Sequence, residues 1–149
     1  MTAWSETRHT ILLVDDNPDL LKALTISLEE LGNFKVVGAI DGVEGLEQFY
    51  AVRPQCMVID IKMPGLDGYQ LVRALRGDPE TWDTPLVVLT ALAQDRDRFA
   101  GLAAGADAYL VKPVKPQDLA AAIHQAIAVS AQDRLRRLRD MVDAPPPDE

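Results

Sequence analysis

The sequence predicts an α/β fold: a five-stranded parallel sheet, doubly wound, with five helices and an extended last helix. Three observations carry that expectation. Apolar runs at 11–14, 56–59 and 86–89 show no in/out alternation, as strands covered on both faces do. Segments of helical period stand between the runs, and strand–helix alternation implies parallel pairing with helices on both faces. Four of the five strand runs end in a polar residue with chemical use: Asp15 and Asp16, Asp60, Thr90, and Lys112.

The elements follow in order. Ile11, Leu12, Leu13 and Val14 form the first strand. Asn17 and Pro18 supply an N-cap and a first-turn proline, and Leu20, Leu21, Leu24, Leu28 and Leu31 recur at helical spacing until Gly32. A second strand is predicted over 34–40. A second helix over 42–52, with Leu46, Phe49 and Tyr50 apolar, stops at Arg53-Pro54. The third strand ends at Asp60, a loop occupies 62–68, and a third helix runs from Tyr69 to Arg76. The fourth strand ends at Thr90, and a fourth helix is predicted over 95–104. Ala108 to Val111 is the fifth strand, and Pro116 opens a last helix that could run to Val142. The domain reading is therefore an irregular or disordered N-terminus over 1–9 and one globular domain over 10–129. A helical extension covers 130–142, and a disordered acidic, proline-rich tail covers 143–149.

Composition excludes several classes. The chain has 149 residues, enough for one domain, and a net charge of −8, which argues against general nucleic-acid binding. Cys56 is the single cysteine, so no internal disulfide forms and a reducing compartment fits. No apolar run approaches the roughly 20 residues of a membrane span, and the first ten residues lack a signal-peptide core. A cytoplasmic protein without membrane insertion is expected.

In a parallel sheet all C-terminal strand ends share one edge, and ligands bind outside it. Asp15, Asp16 and Asp60 are thereby brought together. Their mutual repulsion is relieved by a hard divalent cation, Mg²⁺ or Mn²⁺, held by oxygen ligands. A carboxylate can act as nucleophile towards phosphorus, while a lysine ammonium and a hydroxyl steady the transferring group. Each residue also has a blander reading. The Asp15-Asp16 pair could simply favour a helix N-terminus, Asp60 could form a turn, Thr90 could be structural and Lys112 a solvated turn residue. The joint occurrence in this order favours chemistry.

On these residues the sequence resembles the receiver domain of bacterial two-component response regulators, of the stand-alone, single-domain type. The matching pieces are 11–17, 58–68, 88–91 and 105–113, and the resemblance covers 10–129. It implies a flavodoxin-like sheet of strand order 2-1-3-4-5. It also implies that Asp60 is the phosphoacceptor, and that Asp15, Asp16, Asp60 and the Lys62 backbone carbonyl hold Mg²⁺ or Mn²⁺. Thr90 and Lys112 would contact the phosphoryl group, Thr90 and Tyr109 would form the switch, and the Lys112-Pro113 peptide would be cis. A histidine kinase or histidine phosphotransfer protein would be the donor. A downstream protein would read the face of the fourth helix, fifth strand and fifth helix. Such a chain is a signalling module that promotes its own Mg²⁺-dependent phosphorylation and autodephosphorylation, not an enzyme acting on an external substrate. The two histidines, His9 and His124, match no donor position. Lys62 and Leu92, two residues after Asp60 and Thr90, are candidates for tuning the lifetime of the phosphorylated state.

Two rivals differ in class. A haloacid-dehalogenase-like phosphatase would need an acid/base aspartate where Lys62 stands. A binding module that lost phosphorylation would not need all of Asp15, Asp16, Asp60, Thr90 and Lys112. Beyond the domain, Leu135, Leu138 and Val142 continue the apolar stripe of Leu119, Ile123 and Ile127, with Arg134, Arg136, Arg137 and Arg139 on the other faces. Three readings compete: an amphipathic extension folded back or frayed, a short coiled coil pairing two chains, and a partner contact by the arginines. A homodimer could use this helix or the fourth-helix face. The sequence also fits a receiver cut from a larger transcriptional or enzymatic response regulator.

Overall fold

The computed structural model describes residues 8–61, 68–90, 105–129, 132–136 and 139. Five strands, β1 (His9–Val14), β2 (Phe34–Ala39), β3 (Cys56–Asp60), β4 (Leu86–Thr90) and β5 (Ala108–Val111), pair in parallel in the order β2-β1-β3-β4-β5. The described helices are α1 (Pro18–Gly32), α2 (Gly42–Val52), α3 (Gly68–Arg76) and α4 (Pro116–Ala128). Here α4 is the fifth of the predicted helices. The helix expected over 95–104 lies outside the described residues, as do 1–7, 62–67 and the tail.

The apolar runs behave as their lack of alternation required. Leu12, Val14, Met57, Ile59, Leu86 and Val88 face a core closed by Phe49 and by Leu71, Val72 and Leu75 of α3. Their neighbours Ile11, Leu13, Val58, Val87 and Leu89 face the opposite core, closed by Leu24, Leu28, Leu119 and Ile123. Both faces of the central strands are packed, so β3 and β4 carry no charged or hydroxyl side chain until they end. Polar groups at strand ends are thereby displayed along one edge.

Local signals set the boundaries. The Asn17 side chain accepts hydrogen bonds from the N–H groups of Asp19 and Leu20, and Asp41 caps α2 by accepting from Glu44 N–H. Gly32 does not itself end α1 in a left-handed turn; Asn33 does, with φ 56°. Gly32 is required for space instead, because a Cβ there would lie 2.1 Å from the Phe34 ring.

Several expectations need correction. The first strand begins at His9, inside the segment expected to be irregular, because its pairing with β2 starts at His9 opposite Phe34. The His9 ring then lies edge-on to His124, with centroids 6.5 Å apart, and His124 packs against Phe34. Leu31 and Tyr50 are exposed, not core. Tyr50 instead stacks edge-on against Phe49 beneath the Arg53 guanidinium. The last helix does not run on to Val142. It stops at Ala128, where Val129 takes an extended backbone (φ −69°, ψ 128°). Residues 132–136 are helical again, and Arg134 is 3 % exposed, packed against the domain as an extension folded back on it would be. No glycine or proline signals this break; the tertiary contacts of Arg134 described below require it.

Candidate functional site

The edge at the strand C-termini gathers five of the predicted residues: Asp15, Asp16, Asp60, Thr90 and Lys112. Asp15 follows β1 directly, and its N–H continues the sheet pairing to Ala39 O at 3.0 Å. The side chain is fully buried. Its Oδ1 accepts from Asn17 N–H at 2.9 Å, which fixes the carboxylate and leaves Oδ2 turned to the site. Asp16 is exposed. Asp60, the last residue of β3, is 5 % exposed. One carboxylate oxygen from each of Asp15, Asp16 and Asp60 lies within 4.8 Å of the other two.

Lys112 closes the group from β5. Its N–H donates to Thr90 O at 2.7 Å, one step beyond the Thr90–Val111 register pair. The chain then turns through a cis Lys112-Pro113 bond. The Lys112 Nζ lies 3.1 Å from Asp60 Oδ2 and 3.3 Å from Asp15 Oδ2. Burial works against charging this amine, but the Asp60 and Asp15 carboxylates outweigh it and raise its pKa. The site thus sets the Lys112 ammonium against the Asp60 and Asp15 carboxylates, with an Asp16 oxygen near both, a net negative group among the described residues. Oxygen donors of this kind and spacing suit a small hard divalent cation, which takes one or two carboxylates and keeps room for water or phosphate oxygens.

Thr90, 1 % exposed, ends β4, which lies between β3, ending at Asp60, and β5, which Lys112 follows. Tyr109 is opposite Val88 in the β4–β5 register, and its hydroxyl accepts from Ala106 N–H at 3.3 Å. The Lys62 carbonyl and side chain, and Leu92, lie outside the described residues.

Two features were not foreseen. The first is Gly68, which starts α3 by donating its N–H to Ile61 O at 3.0 Å. A Cβ there would meet Ile61 Cα at 2.6 Å and Asp60 O at 2.8 Å, both backbone atoms that cannot give way. Gly68→Ala is expected to lower stability by about 1–3 kcal/mol and to displace Asp60, read as a lower denaturation midpoint together with weaker divalent binding. The second lies at the opposite edge, before β5. The buried Asp107 carboxylate holds Arg76 Nη2 at 3.4 Å, Arg134 Nε at 3.0 Å and Leu86 N–H at 2.8 Å. Arg76 also donates to Gly105 O at 2.6 Å and Thr84 O at 2.7 Å. Asp107 stands beside the first residue of β5, but nothing in the sequence pairs it with an arginine 27 positions later.

Comparison with known proteins agrees with this geometry. The response regulator receiver domain family matches residues 11–124, and the chain belongs to that family. It is therefore a receiver module of two-component signalling. Among curated relatives, a probable transcriptional regulator, ycf27, of Guillardia theta is 42 % identical over 122 residues, covering 82 % of this chain and 46 % of the relative. The transcriptional regulatory protein PrrA of Mycobacterium leprae is 46 % identical over 113 residues, covering 76 % and 47 %. The chain thus spans about half the length of these relatives. Among solved structures, a putative response regulator of Chloroflexus aurantiacus superposes with TM-score 0.75 at 35 % identity, covering 83 % of this chain and all of that one. The chemotaxis response regulator CheY4 of Vibrio cholerae gives 0.72 at 28 %, covering 80 % and 99 %.

Proposed function

We propose that Asp60 accepts a phosphoryl group from a phosphohistidine on a partner kinase or phosphotransfer protein. A carboxylate oxygen of Asp60 forms the new P–O bond as the P–N bond to the donor imidazole breaks, and the imidazole leaves with the bonding pair and takes up a proton. The single observation that carries this reading is the Lys112 ammonium held 3.1 Å from Asp60, where oxygens of Asp15, Asp16 and Asp60 cluster. An ammonium there offsets charge on the phosphoryl oxygens as they approach a carboxylate. Asp15, Asp16 and Asp60 fit Mg²⁺ or Mn²⁺, which when bound neutralises phosphoryl oxygens. Asn17 N–H keeps the Asp15 carboxylate aimed into the site.

The switch uses the same edge. The Thr90 hydroxyl moves to the new phosphoryl group, Tyr109 turns into the space it leaves, and a protein partner reads the altered face around β5 and α4. Acetyl phosphate with Mg²⁺ should shift the wild-type chain on a Phos-tag gel and leave Asp60→Asn unshifted; equal labelling of both would refute the assignment. The lifetime of the label is set beside the site. Leu92 cannot orient an attacking water by hydrogen bonding, so slow autodephosphorylation follows. Leu92→Asn should shorten the half-life several-fold, and Leu92→Ala should not.

A second reading concerns the whole polypeptide. Because the curated relatives are about twice as long and are named transcriptional regulators, this receiver could regulate an attached effector, DNA-binding or enzymatic. The size of the native protein on an immunoblot distinguishes this from a single-domain receiver acting by protein contact. Cytoplasmic location accords with the reading, and among the described residues no helix is long and apolar enough to cross a membrane.

A further inference from the structure

We propose that residues 132–136 form an arm latched by Arg134 onto the lower edge of the sheet, and that phosphorylation at Asp60 releases this arm through Tyr109. The coupling rests on the reading of Asp60 as phosphoacceptor; the latch itself does not. Arg134 sits eight residues beyond Ala126 yet donates from Nη2 to Ala126 O at 3.1 Å. In a continuous helix those residues would be about 12 Å apart along the axis, so this bond requires the break at Val129.

The remaining donors fasten the arm to two other segments. Nη1 reaches Asp83 O at 2.9 Å, in the connector before β4, and Nε reaches Asp107 Oδ1 at 3.0 Å, in the loop before β5. A guanidinium is a rigid planar fork. One that grips three separate segments is sensitive to a displacement of any one of them.

The Asp107 loop is also tied to the switch residue. Ala106 N–H donates to the Tyr109 hydroxyl, and Ala106 is 6 % exposed. When Tyr109 turns, that buried N–H loses its acceptor, and leaving a buried donor unsatisfied is unfavourable. The loop of Gly105, Ala106 and Asp107 must then move to satisfy it. Asp107 moves with it and disturbs the Arg134 fork. β5 is the lever between the two ends: its four residues span roughly 13 Å and separate Lys112 at the phosphoryl edge from Asp107 at the latch.

Spin labels at Glu80→Cys and Arg136→Cys, both exposed positions, report the arm. Cys56 is buried with its thiol pKa pushed up by that burial, so it stays unlabelled. The unphosphorylated chain should give one narrow distance distribution. Adding Arg134→Gln, which lies outside the phosphoryl site, should lengthen and broaden it while leaving Phos-tag labelling intact. Acetyl phosphate with Mg²⁺ should lengthen it in the Arg134 chain, and not when Asp60→Asn is added. An Arg134→Gln distribution identical to that of the Arg134 chain overturns the latch. Full Phos-tag labelling with an unmoved arm overturns the coupling and leaves Asp60 standing as acceptor. Absent labelling overturns the Asp60 reading and the coupling together.

Discussion

Replacing Asp107 by alanine should destabilise the domain by about 3–5 kcal/mol, the range for removing one partner of a buried ion pair. The carboxylate is 2 % exposed and faces guanidinium groups that are themselves 8 % and 4 % exposed. Its removal takes away the carboxylate that both guanidinium groups share and orphans Leu86 N–H at the first residue of β4. A domain of this size holds about 5–15 kcal/mol in total, so the loss is a large fraction of it. Urea denaturation should show a lower midpoint at an unchanged slope. Asp107→Asn keeps an oxygen acceptor for Leu86 N–H but not the charge, so it should fall between wild type and alanine. If alanine and asparagine cost the same, the lost charge accounts for the whole effect and the acceptor for Leu86 N–H contributes nothing. An alanine variant within 1 kcal/mol of wild type would mean that the arginines reach water once freed.

The carboxylate-lined edge was legible from sequence and this hub was not, for a physical reason. Asp15, Asp60, Thr90 and Lys112 each end an apolar strand, and parallel topology alone brings strand ends to one edge. Recognising the strands was therefore enough to place the residues. Asp107 is matched by side chains from the end of α3 and from beyond the end of α4, which no periodicity connects. Arg134 stands in an arginine-rich run off the apolar stripe, with three readings open, and the Leu135 stripe reads as a continuing helix. Tertiary contact overrides that local preference at Val129. Tyr50 and Leu31 show the converse, since apolar residues at helical spacing include some that the core never reaches. Gly68 could have been suspected as a glycine opening a helix, but only the approach of the Asp60 and Ile61 backbone says why it must be one.

Replacing Lys112 by alanine should act on cation binding and on phosphoryl acceptance in opposite directions. The ammonium lies 3.1 Å from Asp60 and 3.3 Å from Asp15, on the carboxylates that would hold a divalent ion. It therefore competes with that ion for the same charge, and its removal should tighten Mg²⁺ binding on the order of tenfold, about 1.4 kcal/mol. Without Mg²⁺ the variant should be less stable than wild type, because the buried Asp15 and Asp60 carboxylates lose the ammonium they share. Added Mg²⁺ should raise its melting temperature more than it raises that of wild type. The pH dependence follows from the direction of the lysine shift. A folded pKa raised above the unfolded value of about 10.4 contributes stability that is fully present below that pH, and it is lost as pH rises through the folded value. Across pH 6–8 the competitor stays charged in wild type, so the difference in Mg²⁺ affinity between the two proteins should be flat with pH there. Phosphoryl acceptance should nonetheless fall by at least tenfold at saturating Mg²⁺, because the ammonium that offsets charge on the incoming oxygens is gone. Calorimetric titration and Phos-tag time courses on the same preparations separate the two effects. Weaker Mg²⁺ binding in Lys112→Ala would show that the lysine organises the carboxylates for the ion and does not compete with it.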